Sequence, residues 1–115
     1  MIAQITPTDL PQWLQAQTAP VVLDVREPGE WQAASVQADG FTLVQLSMGE
    51  IPARLAELDP HQPVACLCHH GARSQRVAQF LVQNGFENVV NIAGGIDAWS
   101  LQRDAGMPRY RTLQI

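Results

Sequence analysis

Apolar residues in this chain fall into short runs separated by segments in which they recur at helical spacing. Val21-Val22-Leu23-Asp24-Val25, Phe41-Thr42-Leu43-Val44, Pro63-Val64-Ala65-Cys66-Leu67 and Asn88-Val89-Val90-Asn91-Ile92 are four or five residues long. They are rich in branched side chains and read as strands. Thr6-Pro7-Thr8-Asp9 offers a capping hydroxyl, a proline and an acid, so a helix is predicted after it, with Leu10, Trp13 and Leu14 on one face and Pro11 shortening it. Residues 27–31 suit one helical turn. Ser47 and Glu50 are spaced as a capping box, and Ile51, Leu55 and Leu58 continue at helical spacing until Asp59-Pro60. A further helix is predicted over 74–84, with Val77, Phe80 and Leu81 inward and Gly85 as its terminator. Gly94-Gly95 leads into a last helix through Trp99, and Pro108-Arg109-Tyr110-Arg111 reads as a tail lying over the surface.

Strands that alternate with helices through short loops predict an α/β fold: a central, mainly parallel sheet with helices on both faces. Ligands of such sheets bind beyond the carboxyl ends of the strands. The segments leaving at that edge are 24–26, 68–73 and 93–95.

With 115 residues, 46% of them hydrophobic, the chain fits a single domain over 1–115. Seven Lys and Arg stand against eleven Asp and Glu, a formal net charge of −4, so no nucleic-acid partner is expected. No apolar run approaches the roughly 18 to 20 residues that cross a bilayer, so no membrane partner is expected. The start Met1-Ile2-Ala3-Gln4-Ile5, with Pro7 and Asp9 close behind, has no signal-peptide character, and a cytoplasmic location is expected.

Two cysteines, Cys66 and Cys68, cannot build a disulfide framework. Their single-residue spacing also lacks the two-residue spacer of a redox pair. A zinc site would need help from His69 and His70, but successive loop side chains are expected to diverge, so no metal is predicted. Gly94-Gly95 alone is no phosphate fingerprint, and no cofactor is predicted.

The most informative stretch is Cys66-Leu67-Cys68-His69-His70-Gly71-Ala72-Arg73-Ser74. A cysteine ends a buried strand, a short loop with a glycine follows, and an arginine opens a helix. Successive backbone N–H groups then aim at one point beside the positive end of a helix dipole. A thiol there is expected to be a nucleophile, with an anion held next to the sulfur. Cys68 is the candidate nucleophile and Cys66 a core thiol. Arg73 is a candidate anion binder, with a salt bridge at the helix start as the structural alternative. His69 and His70 are candidate substrate contacts or plain loop residues. Asp24 and Arg26 are expected to buttress the loop from the neighbouring strand.

Three blocks of the chain resemble the rhodanese family of single-domain sulfurtransferases. They are Leu23-Asp24-Val25-Arg26-Glu27 with Glu30-Trp31, Cys68-x-x-Gly71-x-Arg73-Ser74, and Ile92-Ala93-Gly94-Gly95-Ile96-x-Ala98-Trp99. They lie in the family's order, each at a predicted strand edge. The resemblance implies that Cys68 takes a sulfane sulfur from a small anionic donor such as thiosulfate and stores it as a persulfide. The acceptor would be cyanide, a small thiol or a protein cysteine. It also implies that Arg73 orients the donor while His69, His70, Gly71, Ala72 and Ser74 line the substrate. Two departures stand out. Residues 34–40 lack the family's Gly-His-Ile-Pro-Gly-Ala stretch, and His69 stands where many relatives carry a permanent cation, which argues against thiosulfate as the preferred donor.

A cysteine-dependent phosphatase is the rival enzyme, but it needs five residues between cysteine and arginine. Here His69, His70, Gly71 and Ala72 make four, a cradle sized for one sulfur. The other alternative is a non-catalytic interaction module on the same fold.

Overall fold

The computed structural model describes residues 2–110. Five strands form one sheet: β1 (Ala3–Ile5), β2 (Val21–Asp24), β3 (Thr42–Gln45), β4 (Val64–Leu67) and β5 (Val89–Ile92). Every pairing is parallel, in the order β1-β5-β4-β2-β3. The helices are α1 (Leu10–Gln15), α2 (Pro28–Ala33), α3 (Ile51–Arg54), α4 (Ala72–Gln83) and α5 (Gly95–Gln102).

Alternation along the strands splits the core in two. Val21, Leu23, Val64 and Cys66 face one side, packed with Ile51 of α3 and Val77, Ala78 and Leu81 of α4. Val22, Ala65, Leu67, Val90 and Ile92 face the other, against Leu10 and Leu14 of α1 and Ile96 and Trp99 of α5. Both faces of the sheet are therefore covered, which is why its strands read as unbroken apolar runs. Among the described residues no helix is long and apolar enough to cross a membrane.

The chain leaves β2 towards β3 on one side and leaves β4 towards β5 on the other. The gap between β2 and β4 is thus the topological switch point, where a parallel sheet opens a crevice. Leu23 pairs with Cys66 across that gap, so the segment starting at Cys68 emerges beside the one starting at Val25.

Four details differ from the sequence expectation. β1 is too short for a periodic signal and exists because its backbone pairs with β5, Ala93 N–H donating to the Ile5 carbonyl at 2.8 Å. α1 starts at Leu10 rather than Pro7. Pro11 sits in its first turn, where no N–H is needed. Ser47 makes no side-chain cap. Residues 48–57 form two 3-10 turns around the single α-turn of α3, with Pro52, which has no N–H to give to Met48, at its start. α4 begins at Ala72, two residues early, which brings Arg73 and Ser74 into its first turn.

Candidate active site

Cys68 leaves β4 with its side chain on the face packed by α4, and is 1% exposed. Gly71 turns the chain back with φ +107°, a left-handed conformation that glycine reaches without a Cβ clash. The turn aims the Gly71 N–H at Cys68 Sγ, 3.0 Å away, and the Ser74 hydroxyl lies 3.2 Å from the same sulfur. Ser74 is fully buried and also meets Asn91 Oδ1 at 2.5 Å. Asn91 Nδ2 in turn donates to the Gly71 carbonyl at 3.1 Å and to Gln4 Oε1 at 2.9 Å. Sulfur, serine and asparagine form one buried polar chain running from β5 to the loop.

The loop is held from the other side by α5. Ile96 N–H donates to the Cys68 carbonyl at 2.8 Å, and Asp97 N–H to the His69 carbonyl at 3.2 Å. With two loop carbonyls bonded to the start of α5, the loop is pinned in the conformation that puts the Gly71 N–H on the sulfur. Gly94 and Gly95, which lead into α5, both have positive φ, and a Cβ at Gly95 would collide with the Cys68 and His69 carbonyls. The Gly95→Ala variant is expected to lose at least about 2 kcal/mol, or roughly 8 °C or more in thermal midpoint. Gly29→Ala, where a Cβ meets nothing within 4 Å, serves as the control and should hold or gain stability in the same melting experiment.

Arg73 is paired with a carboxylate. Its Nη1 and Nη2 donate to Glu30 Oε1 and Oε2 at 2.7 and 2.9 Å. This is the salt bridge at the helix start that stood as the structural alternative for Arg73. The pair ties the first turn of α4 to α2. Burial pushes the Glu30 carboxyl up, but hydrogen bonds from Arg73 and Tyr110 outweigh it and leave its pKa at about 2. Arg73, hydrogen-bonded to Glu30 against the cost of its own burial, is raised further still.

Asp24 and Arg26 do buttress the site. Arg26 Nε and Nη2 donate to the two Asp24 oxygens at 2.8 and 2.7 Å, both side chains fully buried. The remaining donors of Arg26 reach the Glu30 carbonyl at 3.1 Å and the Ala34 carbonyl at 2.9 Å, fixing α2 and hence Glu30.

The two histidines part company in burial, not in direction. His69 is 3% exposed, whereas the His70 side chain is 57% exposed with Nε2 3.8 Å from Asp97. Their rings stack at 3.9 Å, so the expected divergence of successive side chains does not occur. The reason is Tyr110, whose ring stacks on His69 at 4.0 Å and 9°. Burial, with the neighbouring His70 adding to it, lowers the His69 pKa below its ordinary value. The tail is more than a surface tail. Tyr110 donates to Glu30 Oε2 at 2.8 Å and accepts from Arg26 at 3.0 Å, while Arg109 clamps Asp97 with two bonds of 2.7 and 2.9 Å. Arg111, the last residue of the predicted tail segment, lies outside the described residues.

Ala72 is exposed at the start of α4. Cys66 is fully buried in the core, as expected, and burial reinforced by the nearby Cys68 drives its pKa upward. Asn91, Tyr110 and the pairing role of Glu30 were missed at sequence level. Asn91 had a readable signal, since a lone polar residue inside an apolar strand needs a partner. Tyr110 had none.

A parallel α/β sheet whose central strand ends in a cysteine, ringed by a short loop's N–H and a helix-start hydroxyl, defines a cysteine-loop α/β domain built at a switch point. Comparison with known proteins is specific. The chain belongs to the rhodanese family: the model of the rhodanese-like domain matches residues 6–102. It is 40% identical over 91 residues to the rhodanese-like/PpiC domain-containing protein 12 of Arabidopsis thaliana, chloroplastic, covering 77% of this chain but only 30% of that protein. It is 41% identical over 76 residues to the thiosulfate sulfurtransferase GlpE of Actinobacillus pleuropneumoniae, covering 66% of this chain and 67% of that one. Among solved structures it resembles the polysulfide-sulfur transferase homodimer of Wolinella succinogenes, with TM-score 0.73 and 29% identity over 96% of this chain and 80% of that one.

Proposed function

We propose that the protein is a sulfurtransferase that takes a sulfane sulfur from an anionic donor such as thiosulfate and carries it as a persulfide on Cys68. It then passes the sulfur to a thiophilic acceptor: cyanide, a small thiol or a protein cysteine. The observation that carries this reading is the Cys68 sulfur held under the Gly71 N–H and the Ser74 hydroxyl at the start of α4. Those donors and the helix dipole stabilise a negative sulfur, both as attacking thiolate and as the terminal atom of a persulfide. The named activities of GlpE and of the Wolinella protein point the same way. A cytoplasmic setting, where thiols stay reduced, suits the reading.

In this scheme the loop 69–72 surrounds the transferred sulfur with backbone N–H groups. Arg73 acts through Glu30, keeping the first turn of α4 in place. Mass spectrometry of the intact protein after exposure to thiosulfate tests the reading: one added sulfur on Cys68, removed again by cyanide, is the expected result. An unmodified Cys68 under several donors would overturn it.

Loop size separates this reading from a phosphatase. Inserting one residue between Gly71 and Arg73 moves the Gly71 N–H or the helix start by more than an ångström. Sulfur loading is expected to fall by about a hundredfold, with slow hydrolysis of an activated aryl phosphate gained at most. If the wild-type protein hydrolyses that phosphate faster than it transfers sulfur, loop length does not decide the chemistry.

A further inference from the structure

One hydroxyl beside the nucleophile has more acceptors than protons. Ser74 Oγ lies 2.5 Å from Asn91 Oδ1, 3.2 Å from Cys68 Sγ and 3.3 Å from the Gly71 carbonyl. The amide in the shortest of these contacts is held in one orientation. Asn91 Nδ2 donates to the Gly71 carbonyl at 3.1 Å and to Gln4 Oε1 at 2.9 Å. Gln4 is oriented in turn by its Nε2, which donates to the Ile2 carbonyl at 3.4 Å and to Gln75 Oε1 at 2.6 Å. Backbone carbonyls therefore fix both amides, and Asn91 presents a bare acceptor to Ser74. Two oxygens 2.5 Å apart need a proton between them. An amide oxygen has none, so the proton is the serine's.

We propose that Asn91 is a positioning residue that decides where the Ser74 proton points, and so how readily Cys68 becomes a thiolate. With Cys68 a neutral thiol, the Ser74 O–H donates to Asn91 Oδ1 and the S–H donates to Ser74 Oγ. When the thiol loses its proton to water or a buffer base, the Ser74 O–H swings to the negative sulfur. Asn91, 2% exposed, is then left with an unpaired Oδ1, which counts against the thiolate. The inference rests on the sulfurtransferase reading for its consequence. Attack on thiosulfate forms the Sγ–S bond and breaks the donor's S–S bond, and sulfite leaves with the bonding pair. The charge of the thiolate then sits on the outer sulfur, Sγ is neutral, and the Ser74 proton returns to Asn91. Asn91 thus favours the loaded state over the empty thiolate.

Several titratable groups stand on the elements that pack around this thiol or hold its loop. They are Cys66 of β4, Arg73 and Arg76 of α4, Glu50 and Arg54 at α3, Glu30 of α2, Asp97 of α5, the Asp24–Arg26 pair, and His69 and His70. Among the described residues none of them hydrogen-bonds to Ser74 or Asn91. The choice between sulfur and amide is therefore made by uncharged groups.

The experiment follows alkylation of Cys68 by iodoacetamide in the intact chain, located by mass spectrometry, from about pH 5 to about pH 10. Asn91→Leu removes the competing acceptor at similar volume. The Gly71 carbonyl keeps the Gln75 N–H at 3.1 Å in that variant, and exposed Gln4 turns to water. The pH of half-maximal alkylation should fall by about one unit, a rate about tenfold higher at the acid end. In a Ser74→Ala background the same substitution should change the rate by less than about twofold. An unmoved or raised midpoint in folded Asn91→Leu overturns the proposal, as does an equal shift with and without the Ser74 hydroxyl. A second measurement needs no Asn91 variant: the infrared S–H stretch of Cys68 in Cys66→Ala, recorded below the alkylation midpoint. It should lie at lower frequency than in the same variant with Ser74→Ala added. Identical frequencies would show that the thiol does not donate to Ser74, which also overturns the proposal. Neither readout uses a sulfur donor. A protein that passes both yet takes no sulfur from thiosulfate loses the sulfurtransferase reading and keeps this one.

Discussion

Cys68→Ala is expected to abolish sulfur loading, by three orders of magnitude or more on the scale of about 10⁴ to 10⁶ seen when a covalent nucleophile is removed. Cys66→Ala should keep most of it. Cys66 lies on β4 and Cys68 just past its end, two residues on, and both side chains join the same core cluster. Only Cys68 receives hydrogen bonds from the loop, from the Gly71 N–H and the Ser74 hydroxyl. Cys66 is fully buried, and burial raises its pKa, with Cys68 adding to the rise. That disfavours the thiolate which sulfur attack requires. Truncating it leaves a small cavity and costs about 1 kcal/mol of stability. Intact-mass measurement after donor exposure, with melting curves for both variants, checks the contrast. Equal loss of loading in two folded variants would move the nucleophile away from Cys68.

Glu30→Gln should produce the largest stability effect. The wild-type carboxylate accepts two bonds from Arg73 and one from Tyr110, and it is 7% exposed. The amide can accept from one of these partners at most on each remaining lone-pair side, and it leaves a partly buried guanidinium without its countercharge. Breaking a buried pair on one side costs about 3 kcal/mol or more. The loss should also reach the chemistry, because the Glu30 pair anchors the first turn of α4, where Ser74 meets the Cys68 sulfur.

The pH dependence follows from the same group. The folded pKa of Glu30 is about 2, against 4.5 for the free side chain, so folding favours the charged form. The stability it contributes is fully present above pH 4.5 and is lost as pH falls towards about 2. Wild type should therefore lose stability through that window more steeply than Glu30→Gln. Urea unfolding at a series of acid pH values reads this directly, and parallel slopes would show that Glu30 is not the linked group.

Much of the site was legible because its determinants are local. A strand, a cysteine, four residues and an arginine fix the loop's size, and the glycine permits its turn. The rhodanese-like blocks at 23–31, 68–74 and 92–99 each sit where the sheet requires. What was illegible depends on residues far apart in the chain. Arg73 could have faced a donor or a carboxylate, and which it meets depends on where α2 lies. The histidine rings could have splayed, and Tyr110, 41 positions beyond His69, is what stacks them.

By itself the sequence determined the α/β alternation, the parallel sheet and the identity of the loop cysteine. These follow from short-range periodicity and from the turn chemistry of a few neighbouring residues. Only the tertiary structure decided how the charges are matched. A guanidinium cannot be assigned its partner from spacing along the chain, because pairing over more than forty residues depends on packed helices and on which side chains share a dry space. For Arg73 that partner is Glu30, fixed by the buried Asp24–Arg26 pair beneath α2 and by Tyr110 above it.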